Sequence, residues 1–154
     1  MDYKKKYLKY KLKYKNLFNQ KKNILKGGDM TSKYDCKTVQ EIKDKLFNEH
    51  KKQLFIAYAP WCPHCKVLKP DLLKLYESEE DKLITVDSTQ LNIPKEEIDI
   101  PILGYPSIFI IEMYDQADDD TIKVIKGGSE KFFKVKDYNS NRTYNDFMKA
   151  LKTD

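Results

Sequence analysis

The stretch Pro60-Trp61-Cys62-Pro63-His64-Cys65-Lys66 constrains this chain more than any other. An apolar run, Leu54-Phe55-Ile56-Ala57-Tyr58-Ala59, precedes it, and a segment with helical periodicity follows. A short apolar run of this length predicts a buried strand. Two thiols two residues apart at a strand-to-helix junction can form a redox couple. The unpaired N–H groups and the dipole at the helix start favour a thiolate there. The first cysteine, at the exposed start, is placed to attack. Cys65, one turn further in, is placed to resolve the mixed disulfide. His64 can donate to the Cys62 sulfur or present positive charge to it, and so lower its pKa. Trp61 supplies a flat apolar wall. Pro63 fixes the backbone in the first turn, where a missing N–H costs little.

Two other readings of these residues are metal and structure. Cys62, His64 and Cys65 are soft ligands, but a structural zinc site needs four, and only Cys36 and His50 remain elsewhere. A buried CxxC without chemistry is the blander reading. With three cysteines, a disulfide framework is excluded, and the parsimonious compartment is reducing.

Charge divides the chain. Residues 1–28 carry ten Lys against one Asp, and residues 29–154 carry 19 Lys and Arg against 23 Asp and Glu. This is a basic leader on a mildly acidic domain. In the leader Tyr3, Tyr7, Tyr10, Tyr14 and Leu17 follow a heptad-like spacing, and Gly27-Gly28 ends it as a hinge. Such a segment suits a solvated helical extension, an anionic surface or nucleic acid. No run of 18 apolar residues predicts a membrane span, and the N-terminus lacks the apolar core of a secretion signal. The expected location is cytoplasmic.

In residues 29–154, Thr31 and Ser32 are candidate caps for a first helix. Val39, Ile42, Leu46 and Phe47 give an apolar face to a helix around 37–50. Cys36, near its start, is expected to be a bland or semi-exposed residue, with a regulatory thiol as the lesser reading. After the CxxC, Val67, Leu68, Leu72, Leu73, Leu75 and Tyr76 keep helical spacing to about Ser78, with a kink expected at Pro70. Leu83–Val86 predicts a strand and Leu91–Ile100 a short helix. Ser107–Ile111, Thr121–Ile125 and Phe132–Tyr138 predict three further strands. Thr143 caps a final helix with Phe147, Met148 and Leu151 inward. The order describes an α/β domain with a central sheet covered by helices on both sides.

Three separated motifs carry a resemblance. Ala57-Tyr58-Ala59-Pro60-Trp61-Cys62-Pro63-His64-Cys65-Lys66, Ile102-Leu103-Gly104-Tyr105-Pro106-Ser107 and Tyr138-Asn139-Ser140-Asn141-Arg142-Thr143 resemble, in order, motifs of the thioredoxin superfamily. The likeness is specifically to the thioredoxin domains of protein disulfide isomerases, over about residues 36–152. The resemblance implies a thioredoxin-like fold with a mixed sheet, and activity on protein disulfides or dithiols with no bound cofactor. It also implies a recycling reductase or oxidase. It makes Pro106 a cis proline against the CxxC, with the Tyr105 backbone available to an extended substrate. It makes Phe132–Tyr138 the last strand of the fold and places Thr121–Ile125 in an insertion near 114–130. Two departures stand out: Ile56 occupies the position of a buried acid, and Pro63 replaces glycine. Cys-Pro-His-Cys resembles periplasmic disulfide-forming enzymes, which leaves the direction of catalysis open.

The leader resembles the Lys/Tyr-rich starts of giant DNA virus proteins over residues 3–15, which adds a virion as an expected location. A thioredoxin-fold binding or virion structural module is the alternative to an enzyme, and a glutathione-dependent reductase is a third reading.

Overall fold

The structure, a computed structural model, describes residues 31–48 and 50–152. The expected leader helix and hinge of residues 1–28, and the boundary after them, lie outside the described residues.

The first helix, α1, spans Val39–Leu46. Its cap is Thr38 rather than Thr31 or Ser32: Thr38 Oγ1 accepts the Glu41 N–H at 3.1 Å, while Glu41 reaches back to the Lys37 N–H at 2.6 Å. Two orphan donors are satisfied at once. Strand β1 covers Lys52–Tyr58, and helix α2 covers Pro63–Glu79. A single 3-10 turn at Glu80–Lys82 leads into β2, Leu83–Asp87. Then follow β3 (Ser107–Tyr114), β4 (Thr121–Lys126), β5 (Ser129–Asp137) and α3 (Tyr144–Lys152).

The five strands form one mixed sheet in the order β2-β1-β3-β5-β4. β1 and β2 are parallel, with Leu54 opposite Leu83 and Tyr58 opposite Asp87. The other pairs are antiparallel. β5, not β4, pairs with β3, so β4 becomes the outermost strand, held to β5 through the Gly127-Gly128 turn. Gly127 has φ +56°, a conformation that a Cβ disfavours.

Alternation along β1 builds the two cores. Leu54, Ile56 and Tyr58 face α2 and α3, packing with Cys65, Leu68, Leu72, Leu75, Phe147 and Leu151. Phe55 and Ala57 face α1, packing with Ile42, Leu46, Ile84, Val86, Phe109 and Phe133. A strand buried on both faces reads as a continuous apolar run, as Leu54–Ala59 does.

Three further expectations change. Leu91–Ile100 is irregular, with only a turn in which the Glu97 and Ile98 N–H groups reach the Pro94 carbonyl at 3.0 and 3.1 Å. Pro94 lacks an N–H and Pro101 disfavours a helical Ile100, which leaves too few residues to offset nucleation. Ile98 is nonetheless buried in the second core. Val67 is exposed, because the inner stripe of α2 runs Cys65, Leu68, Leu72, Leu75 and Tyr76. Cys36 is buried rather than half-exposed, and its N–H donates to the Thr85 carbonyl at 3.0 Å.

A polar network ties the start of the described domain to the sheet. Asp35 accepts hydrogen bonds from Thr31 (2.5 Å), Thr85 (2.6 Å) and the Tyr58 hydroxyl. Thr85 also pairs with the Tyr76 hydroxyl, and Tyr34 stacks on Tyr76 at 4.4 Å. Thr31 therefore serves this network instead of a helix cap.

Candidate redox site

β1 ends at Tyr58, and the chain turns through Ala59–Trp61 into α2. The Cys62 N–H closes the turn onto the Ala59 carbonyl at 3.0 Å. Cys62 is the N-cap of α2, with φ −77° and ψ 122°, and Pro63 opens the helix. The Cys62 carbonyl accepts the Cys65 and Lys66 N–H groups, both at 3.1 Å. The apolar strand and the proline-led helix thus hold the first thiol at the helix mouth and the second one turn inside.

All three cysteines are free thiols, so the pair is in its dithiol form. Cys65 is fully buried, and Cys62 retains 5% exposure. The Cys62 thiol donates to the Tyr105 carbonyl at 3.5 Å, across 43 residues of sequence. The Tyr105–Pro106 peptide bond is cis. The Trp61 and Tyr105 rings meet edge to face with centroids 6.1 Å apart. Trp61 and Cys62, at the mouth of α2, therefore meet Tyr105, in the loop before β3. Pro63 sits in the first turn of α2, and the His64 side chain is exposed.

The two thiols are electrostatically unequal. Desolvation acts to raise the Cys62 pKa. It is outweighed by hydrogen bonds from the Cys65 backbone, the Cys65 thiol and the His64 backbone, and by the charge of Arg142, so the net direction is down. Burial pushes Cys65 up to about 11, with the hydrogen bond and charge of Cys62 adding to it and the Ala59 backbone and Arg142 opposing. When the pair loses one proton, the charge settles on Cys62 and the remaining proton on Cys65.

Among the groups that lower the Cys62 pKa, His64 enters through its backbone N–H. Arg142, noted in the sequence only as part of a motif, acts on both sulfurs. Its charge on a loop more than 70 residues downstream gave no local signal. Ile56 is fully buried in the cluster that contains both cysteines, so that position supplies no carboxylate. Among the described residues no three His, Cys, Asp or Glu side chains are grouped so as to hold a metal ion. Cys36 belongs to the other core cluster, and burial raises its pKa to about 11. Among the described residues no helix is long and apolar enough to cross a membrane.

With a reactive-thiol geometry at the mouth of α2 and a mixed five-stranded sheet behind it, the class is a thioredoxin-like α/β protein. The sequence pattern of the thioredoxin family matches residues 33–131, and the chain belongs to that family. Relatives include a protein disulfide-isomerase of Ricinus communis, 35% identical over 102 residues, and one of Medicago sativa, 32% identical over 104 residues. These matches cover 58% and 60% of this chain and 20% of each relative, so the chain corresponds to about a fifth of those proteins. Mitochondrial thioredoxin 3 from Saccharomyces cerevisiae, solved in its oxidized form, aligns over 77% of this chain and 92% of its own, at 18% identity and a TM-score of 0.46.

Proposed function

We propose that this protein is a thiol–disulfide oxidoreductase acting on protein disulfides or dithiols through Cys62 and Cys65. The observation that carries the reading is the unequal pair. A thiol with a depressed pKa sits at a helix start, next to a buried thiol that keeps its proton. The Cys62 thiolate attacks one sulfur of a substrate disulfide. A bond forms between Cys62 and that sulfur, the substrate S–S bond breaks, and the displaced sulfur leaves as a thiolate that takes up a proton. Cys65, on losing its proton, attacks the Cys62 sulfur. The Cys62–Cys65 disulfide forms, and the second substrate sulfur departs. Two electrons and two protons pass from the pair to the substrate, and an external dithiol restores the pair. Oxidation of a substrate dithiol is the same sequence reversed.

In this scheme Trp61, Pro63, Tyr105 and Pro106 form the substrate groove, and His64 tunes Cys62 through its backbone. The leader, with nine excess positive charges in residues 1–28, is proposed as a contact for anionic surfaces or nucleic acid, in the cytoplasm or a virion. Ile56 favours a second reading, a thioredoxin-fold binding or virion module with little turnover, because no acid at that position assists Cys65. Insulin reduction with dithiothreitol as the terminal reductant separates the two. Turnover lost in Cys62→Ser supports the enzyme, and turnover that survives Cys62→Ser removes it.

A further inference from the structure

β4 closes one side of the sheet, and no strand among the described residues pairs with its outer side. The other outer strand, β2, is partly covered, since the Cys36 N–H donates to the Thr85 carbonyl at 3.0 Å. An open strand edge is a template for a further strand. β4 also lacks two features that blunt such edges. It holds no proline, and its register with β5 runs unbroken from Thr121 opposite Lys134 to Lys126 opposite Ser129.

The hairpin turn fixes which backbone groups face outward. Gly127 and Gly128 alone separate Lys126 from Ser129, so this closing pair exchanges both hydrogen bonds, and the even-numbered residues of β4 bond to β5. The odd-numbered residues turn their N–H and C=O groups away from β5. Thr121 agrees with this alternation, because its N–H bonds the Asp118 carbonyl at 3.2 Å. The backbone groups of Lys123 and Ile125 have no partner among the described residues. Both residues are exposed, Ile125 at 52%, while Val124 between them is buried.

We propose that β4 pairs with β4 of a second copy of this chain, antiparallel and two-fold symmetric about Val124, so that one sheet continues through both copies. This register places Lys123 opposite Ile125 of the second copy, and each such pair exchanges two hydrogen bonds. It keeps like charges apart, whereas a register centred on Lys123 opposes the two lysines. The ends of the strand are complementary in charge. Lys126 and the glycine turn of one copy meet the start of the other β4, where Asp119 and Asp120 are exposed while Asp118 is held by Lys134 at 3.3 Å. The glycines carry no side chain to obstruct that approach. Across the join the strands run β1-β3-β5-β4-β4-β5-β3-β1. The two thiol pairs therefore lie at opposite ends of the joined sheet, on the order of 30 Å apart, and neither is covered.

The test is sedimentation equilibrium of the full chain under reducing conditions, which exclude disulfide-linked dimers. One strand edge makes a small interface, so the mass should rise from one chain to two as concentration increases. Ile125→Pro removes an outward N–H and leaves the ladder to β5 in place. It should raise the dissociation constant at least about tenfold, and Ile125→Val should dimerise like the natural chain. Hydrogen exchange on the natural chain gives a second reading that needs no variant: the Lys123 and Ile125 amides should become protected as concentration rises. A chain that stays monomeric overturns the proposal. So does a dimer in which those two amides stay unprotected, or one that Ile125→Pro leaves intact.

Discussion

The Cys62 thiol and the Tyr105 carbonyl oxygen stand 3.5 Å apart, although 43 residues separate them in the chain. That contact makes the loop before β3 one side of the site and the mouth of α2 the other. Anything that reacts at Cys62 is handled by both.

The difference between the two thiols leads to a trapping prediction. Without Cys65 the mixed disulfide has no internal nucleophile to break it. Cys65→Ser should lose multiple turnover while accumulating a covalent adduct of Cys62 with a disulfide-bonded protein. Mass spectrometry and non-reducing gels check this. The Cys62→Ser,Cys65→Ser double variant should accumulate none.

The charges and hydrogen bonds around Cys62 predict which substitution moves its titration. Arg142 lowers the Cys62 pKa by its charge, whereas His64 does so through a backbone N–H that any residue except proline retains. Arg142→Gln should therefore raise the Cys62 pKa, shift the pH–rate profile of disulfide attack to higher pH and slow attack severalfold at neutral pH. Arg142→Lys should preserve most of it. His64→Ala should leave the titration nearly in place. Thiolate absorbance at 240 nm and the pH dependence of alkylation measure both. A large upward shift in His64→Ala would show that the imidazole, and not the backbone, sets the pKa.

Burial of Cys36 and Cys65 predicts alkaline lability of the reduced protein. Both are pushed up from an ordinary 9.0 to about 11. The unfolded chain therefore loses these protons first. The stability linked to the two thiols is fully present below about pH 9 and is lost as pH rises through about 11. Urea unfolding of the reduced protein should show a midpoint that falls across this window. Cys36→Ala should reduce the slope, since one of the two groups is gone.

Asp35 carries a prediction about the fold. It is buried and accepts from Thr31, Thr85 and Tyr58, which joins the segment before α1 to β1 and β2. Removing the carboxylate leaves three buried hydroxyls short of a partner. Asp35→Ala should cost about 2–4 kcal/mol in denaturant unfolding. Lys33→Ala, at a position that supplies no hydrogen bond to Asp35 and only lies over the Tyr34 ring, should cost well under about 1 kcal/mol.

The local patterns in the sequence carried far where one period dominated. The apolar run Leu54–Ala59 supplies most of β1, the spacing from Cys65 to Tyr76 is the inner stripe of α2, and Thr143 receives the Asp146 N–H at 3.3 Å at the start of α3. They failed where two patterns competed. Leu91–Ile100 has apolar residues at helical intervals, but its prolines remove the hydrogen bonds that a helix needs. Thr31 looks like a cap because its type fits, yet its hydroxyl is used by Asp35. Val67 fits the helical spacing, but α2 can turn only one stripe toward the sheet.

By itself the sequence determined the α/β class, the pair of thiols and their order at a strand-to-helix junction. Each of these depends on residues close together in the chain, where periodicity and capping act directly. Only the tertiary structure decided what surrounds the pair. It brought the Tyr105 carbonyl and the charge of Arg142 from distant loops toward Cys62. It left His64 exposed, and it buried Cys36 in the opposite core. The physical reason is that solvation and charge act through space. Whether a thiol ionises depends on which groups the sheet register and loop closures bring near it, and spacing along the chain does not encode those distances.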